Sequence, residues 1–361
     1  MVTLQISNMK KQSISKRLAV LVLTLLICLG AAGCAREIED TVPSRPDIVW
    51  PPAPEIPRIR FVNSVSNPQD LRIRSGVFKK IFDYLAGKTT VSMVAPYGVE
   101  TDSAGRLYVT DTFLRTVHVF DTKSSSYYPF PSDKANFVSP IDIAIDKSSG
   151  NIYVSDSQSG TVKIFQNRGK KFEGEIGKGV LERPTGIAVN PTTAELIVVD
   201  TKQANIFRFH LNNHQLKGQF GGRGTADGKL NYPTNVWVDG DGEIFVTDAL
   251  NFRIQVFSAE GRFLRRFGSA GDNPGYFTRP RGVAVDSAGN IYVVDGLFDN
   301  VQMFDKDFRL LMAFGSPGNG YGQFWLPAGI YIDPNDTIYV SDNYNKRIQI
   351  FQYLKGDVSA K

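Results

Sequence analysis

From residue 94 to residue 353 one pattern of apolar and polar positions recurs six times. In each copy a short apolar run ends in aspartate, a turn follows, and a phenylalanine stands nine residues beyond the aspartate. The segments read DTFLRTVHVF from Asp111, DSQSGTVKIF from Asp156, DTKQANIFRF from Asp200, DALNFRIQVF from Asp248, DGLFDNVQMF from Asp295 and DNYNKRIQIF from Asp342. The aspartates lie 45, 44, 48, 47 and 47 residues apart. A proline (Pro96, Pro140, Pro184, Pro233, Pro280, Pro327) precedes each by 15 or 16 residues. Two residues after the proline stands Gly98, Asp142, Gly186, Asn235, Gly282 or Gly329. Gly, Asn and Asp best tolerate positive φ, so a shared backbone turn is expected there.

Within one repeat, RGVAVDSAGNIYVVD holds two β-rich runs joined by an Asp-initiated turn, a hairpin signal. VQMF supplies a third strand and LLMAFG a fourth. The first two strands are apolar almost throughout, so both of their faces must be covered. Four-stranded sheets stacked radially meet that demand, and a period near 47 residues suits such an array. The predicted fold is all-β, a six-bladed β-propeller. The last repeat stops after its third strand, with ten residues beyond Phe351. The missing strand is expected from PRIRFVNSVS at 57–66, which would close the ring. Between it and the first blade, GVFKKIFDYLAG spaces Val77, Phe78, Ile81, Phe82 and Leu85 as one face of a short helix.

These motifs resemble the NHL repeat, whose pattern is similar to PxGIAVD..GxIYVVD..NxRIQVF...G..L..FG. The fourth and sixth copies fit best, with NFRIQVF and NKRIQIF. The second and third carry Thr161 and Asn205 where the pattern has arginine. The resemblance spans residues 94–353 and implies a bacterial six-bladed propeller lipoprotein.

The N-terminal region is read as an address. Lys10, Lys11, Lys16 and Arg17 precede an apolar run at 18–29, too short for a stable membrane span, and LGAAGC ends at Cys34. LGAAGC resembles a lipobox, implying cleavage of a signal peptide at 1–33 and acylation of Cys34. Ala31 stands where that pattern usually has leucine. A Pro-rich tether is expected at 34–57, the propeller at 58–356 (closing strand and helix within 58–93) and a tail at 357–361. Ala35 after Cys34 implies the outer membrane, if the cell is Gram-negative. The two cysteines, Cys28 and Cys34, leave the mature body without a disulfide or thiol site. The 41 basic and 36 acidic residues become 37 and 36 once the four basic residues of 1–33 are removed. No basic excess remains to bind nucleic acid.

Candidate chemistry is sparse. His118 and His210 fall on third strands and His214 in a turn, which does not build a three-histidine metal site. The six anchor aspartates, and the hairpin residues Asp102, Asp146, Asp239, Asp286 and Asp333, are read as acceptors for turn N–H groups. Glu100 is the exception. Its counterparts are Ala144, Ala188, Trp237, Ala284 and Tyr331, so it is the one carboxylate on the innermost strands at this level. A buried hydrogen bond is the ordinary account of it; the alternative is a channel-site metal-dependent lyase or lactonase. No cofactor is expected. Loops entering the first strand and leaving the second should share one face of the disk. They carry Tyr97, Phe113, Phe252, Arg281, Phe298 and Tyr344, the residue types that anchor protein interfaces. The expected function is a non-enzymatic, monomeric protein- or peptide-binding module of the cell envelope.

Overall fold

Successive residues of a strand point to opposite faces, and here each face meets a different neighbour. In the strand Ile244–Asp248, Ile244 and Val246 pack toward the preceding sheet and Phe245 toward the following one. The computed structural model describes residues 46–73, 92–131 and 136–355. The signal peptide expected at 1–33, Cys34, the helix expected at 76–87 and the tail expected at 357–361 lie outside the described residues. Six antiparallel sheets follow one another in chain order, five of them four-stranded. Blade 1 spans 96–130, blade 2 140–176, blade 3 184–221, blade 4 233–267 and blade 5 280–314. Blade 6 takes three strands from 330–353. The chain is a six-bladed β-propeller.

The core is six wedges rather than one centre, each formed between two adjacent blades. The phenylalanine nine residues past each anchor aspartate fills the wedge shared with the preceding blade. Phe120 faces blade 6, Phe257 blade 3 and Phe351 blade 5. All six of these phenylalanines are buried. Hydroxyls of the second strands reach the innermost strand of the next blade: Thr110 donates to the Ile141 carbonyl at 2.7 Å and Ser155 to that of Thr185 at 2.5 Å. Ser341 of the last blade donates to Tyr97 of the first at 2.5 Å.

Closure follows the expectation. Ile59–Val65 pairs antiparallel with Arg347–Tyr353 as the fourth strand of blade 6. Ile59, Phe61 and Val65 are buried in the wedges on either side. The tether expected at 34–57 needs correction. Val49–Trp50 adds a fifth strand outside Ile59–Val65, and the Trp50 ring lies 5.9 Å from Phe314 and 5.8 Å from Phe351. The apolar run Ile48–Val49–Trp50 can bury surface between Pro46 and Pro51, and the proline-rich composition around it hides this. Packed chain therefore begins near Ile48 rather than at 58.

The shared turn after each proline also needs correction. None of Gly98, Asp142, Gly186, Asn235, Gly282 and Gly329 has positive φ. The cause of the small residues is crowding at the ring's inner circumference. A Cβ on Gly98 would stand 2.7 Å from the Asp142 Cα, and one on Gly329 would stand 2.2 Å from the Tyr97 carbonyl oxygen. Asp142 and Asn235 use their side chains instead as inter-blade acceptors, from Ile187 N and Val283 N, each at 3.1 Å.

Candidate functional site

In each blade the loop entering the first strand and the loop leaving the second are hydrogen-bonded to each other. Thr112 N donates to Ala95 O in blade 1, Thr201 N to Arg183 O in blade 3, and Tyr344 N to Trp325 O in blade 6. The anchor aspartates, all fully buried, hold both loops. Asp111 accepts from Val94 N at 2.7 Å and from Leu114 N at 2.9 Å, and Asp295 accepts likewise from Thr278 N and Leu297 N. Where the repeat carries arginine, it joins this network. Arg253 Nε bonds Asp248 at 2.8 Å, and its Nη2 reaches the Ala226 and Lys229 carbonyls. Arg347 does the same with Asp342, Gly320 and Gln323. A deep lattice thus fixes one face of the disk, here called the proline face.

His118 belongs to the lattice. It is buried, with Nε2 3.4 Å from Asp111 Oδ2 and Nδ1 2.8 Å from the Tyr127 hydroxyl. Blades 4, 5 and 6 place Gln255, Gln302 and Gln349 at this position, and Gln255 and Gln349 donate to their own anchor aspartates. The hairpin aspartates act on the opposite face. Asp286 Oδ1 accepts from Ala288 N and Asn290 N, and Asp102, Asp239 and Asp333 do the same in their turns.

The proline face concentrates exposed apolar side chains. Sixteen large hydrophobic residues are exposed among the described residues. Eleven sit in these loops: Phe113, Leu114, Val138, Val180, Tyr232, Leu250, Tyr276, Leu297, Tyr321, Trp325 and Tyr344. Phe113 is 71% exposed, and Tyr344 is 56% exposed with its ring 5.5 Å from that of Trp325. Trp325 is hard to find in the sequence because no other repeat has an aromatic residue at its position. It stands two residues before Pro327. Four of the six expected face residues, Tyr97, Phe252, Arg281 and Phe298, are more withdrawn than Phe113 and Tyr344. Phe298 is half-buried, and Phe252 packs on the wedge between blades 4 and 5 with left-handed backbone, φ 54°. Phe252 therefore has a core role that its place in the turn concealed.

Tyr97 lines the channel. From blade 1, its hydroxyl lies within electrostatic range of Asp142 in blade 2, Tyr232 before blade 4 and Arg281 in blade 5, and burial pushes it upward. Below it a cavity of about 680 Å³ runs along the innermost strands to the hairpins. Four residues from four blades meet across it. Glu100 accepts from Ile145 N at 3.0 Å and pairs with Lys147. The Lys147 ammonium lies 5.5 Å over the Tyr331 ring, whose centroid is 5.8 Å from that of Trp237. Burial raises the Glu100 carboxyl, against the pull of Lys147. Glu100 thus has a backbone donor and a cation as partners. No group of three His, Cys, Asp or Glu side chains is arranged to hold a metal among the described residues. Burial also pushes Asp142 up to about 7.

Comparison with known proteins agrees with the architecture. Residues 137–165 and 324–351 match the NHL repeat, and residues 227–299 match a family described as a 6-bladed beta-propeller. Protein brain tumor of Drosophila melanogaster is 34% identical over 130 residues, covering 35% of this chain and 12% of that protein. The human E3 ubiquitin-protein ligase NHLRC1 is 34% identical over 86 residues, covering 24% and 22%. The chain spans less than a quarter of either relative. Among solved structures, virginiamycin B lyase from Staphylococcus aureus superposes with a TM-score of 0.54 at 13% identity, covering 72% of this chain and 96% of that one. At that identity the likeness is one of fold.

Proposed function

We propose that this six-bladed NHL-repeat propeller is a non-enzymatic module that holds a protein or peptide partner against its proline face. The observation that carries the reading is the placing of eleven of sixteen exposed large hydrophobic residues in the loops of that one face. The loops stand on buried aspartate networks, so a partner meets a preorganised surface with little ordering to be done on binding. Aromatic side chains on such a frame are the usual energetic anchors of interfaces. The NHL repeats shared with the Drosophila protein and the human ligase accord with a module that larger proteins reuse. In the same reading, lipid on Cys34 ties the propeller to a bacterial membrane, the outer one in a Gram-negative cell.

The test is capture of envelope proteins on the immobilised propeller, followed by affinity measurement with the partner recovered. Changing Phe113, Trp325 and Tyr344 to alanine should each weaken binding by about 2 kcal/mol, near thirtyfold, with melting temperature unchanged. Normal binding by all three variants would place the interface elsewhere. A turnover destroyed by Glu100→Gln would make the propeller an enzyme.

A further inference from the structure

The cavity below Tyr97 has its own chemistry, and it faces away from the proposed protein-binding surface. Its mouth is formed by hairpin residues, among them Lys147, Ala194, Gly240, Ser287 and Pro334. From the proline-face end of the blades, Tyr97 and Gly329 reach it. At about 680 Å³ it falls within the range of small-molecule sites. Most of its wall is aliphatic, contributed by every blade: Val99, Ile145, Val189, Val238, Val285 and Ile332.

The charged groups on the lining are lopsided. Six carboxylates stand against one ammonium, Lys147, which is already paired with Glu100. Most of the remaining carboxylates are also engaged through their second oxygen. Asp286 Oδ2 accepts from Asn290 and Tyr292, Asp146 Oδ2 from Ser149, and Asp142 Oδ2 from Ile187 N. Asp239 differs. Its Oδ1 takes the two turn N–H groups and its Oδ2 has no donor among the described residues, whereas Asp333 is also bonded by the Tyr339 hydroxyl. It stands two residues after Trp237, on the lining beside the Trp237–Tyr331 pair. This aromatic wall already holds a cation, since the Lys147 ammonium lies over Tyr331. A channel with low-dielectric walls and excess negative charge attracts cations and repels anions. An aromatic face adds to the attraction once the cation is desolvated.

We infer that the channel binds an organic cation with an apolar body, an arylalkyl- or alkylammonium, entering from the hairpin face. Its ammonium is held by Asp239 and its body lies against Trp237, Tyr331 and the aliphatic wall.

The test uses three probes with one apolar body and different heads: 2-naphthylmethylammonium, 2-naphthylmethanol and 2-naphthoate. Titration of the full chain by calorimetry at pH 8 should show the ammonium binding at least tenfold more tightly than the alcohol, and the carboxylate more weakly than either. Asp239→Asn keeps the Oδ1 that caps the hairpin, and should bring the ammonium down to the alcohol's affinity without changing the alcohol's. Ala188→Trp, which fills the wall, should remove binding of all three. Equal affinity for ammonium and carboxylate would overturn the inference. So would an unchanged ammonium affinity in a folded Asp239→Asn protein, or no binding of any probe at millimolar concentration. None of these outcomes bears on the proline face, so the two readings fail separately.

Discussion

Asn235 on the fourth blade donates to the Asp142 carboxylate on the second at 3.4 Å, bypassing the third blade, which has only Gly186 at that level. A Cβ on Gly186 would lie 2.5 Å from the Asn235 Cα, so the glycine and the cross-channel bond depend on each other. Gly186→Ala forces backbone to move at the most crowded level of the ring. It should cost about 1–3 kcal/mol, the usual range for overpacking, measured by chemical denaturation. Unchanged stability would show that the inner ring gives way easily.

Asp142 also sets a pH dependence. Burial raises its carboxyl to about 7, despite N–H donors from Ile143 and Ile187. Because the folded value lies above the unfolded one, folding favours the protonated form. Its contribution is complete below about pH 4 and is lost as pH rises through about 7. The melting temperature should therefore fall from pH 5 to pH 8 more steeply in the wild type than in Asp142→Asn. The difference in slope can reach at most ~1.4 kcal/mol per pH unit. Parallel profiles would mean that Asp142 ionises in the ordinary carboxylate range.

The closing strand carries buried side chains at alternate positions, so its loss exposes two wedges at once. Phe61, 4% exposed and in edge contact with Phe351, should cost about 3–5 kcal/mol on change to alanine. Removing 57–66 should cost more, since it also leaves Arg347–Tyr353 as an open edge. Equilibrium unfolding checks both, and an unaltered transition in the deletion would mean that the ring closes by other contacts.

His118 occupies a glutamine position of the repeat. His118→Gln should be tolerated within about 1 kcal/mol, because the amide can donate to Asp111 as Gln255 does to Asp248. His118→Ala strands the Tyr127 hydroxyl and removes one of the partners of the buried Asp111 carboxylate, and should cost about 1–3 kcal/mol. Equal losses for the two variants would deny the equivalence.

Anchoring is tested at one atom. Cys34→Ser should abolish incorporation of labelled fatty acid and leave the protein either uncleaved or released from the membrane. Equal labelling of wild type and variant would end the lipoprotein reading.

The fold was legible because each repeat states it again: proline, anchor aspartate and phenylalanine fall at fixed intervals and do the same work in every blade. The six small residues after the prolines were recognised, but their cause was misread. Crowding between Gly98 and Asp142 is a contact across 44 positions of sequence, whereas the turn preference of glycine is local. Trp50 was hidden by its proline neighbours for the same reason, since its partners Phe314 and Phe351 lie at the far end of the chain. Glu100 stood out against three alanines and two aromatics. Its partner Lys147 was invisible, because a lysine in a hairpin turn looks like any solvated charge. Asp239 could not be told from the other hairpin aspartates by position; what distinguishes it is an Oδ2 that no neighbouring donor meets, which only the folded surroundings decide.

Val49–Trp50 lies outside the closing strand, so it stands between Ile59–Val65 and any force arriving from the N-terminal side. Two residues of strand pairing and one indole ring on Phe314 and Phe351 take such a load first. The seven-residue strand that shuts the ring stays paired with Arg347–Tyr353 while that outer strip peels away. A propeller pulled by its N-terminal end therefore yields at its margin before its circle opens.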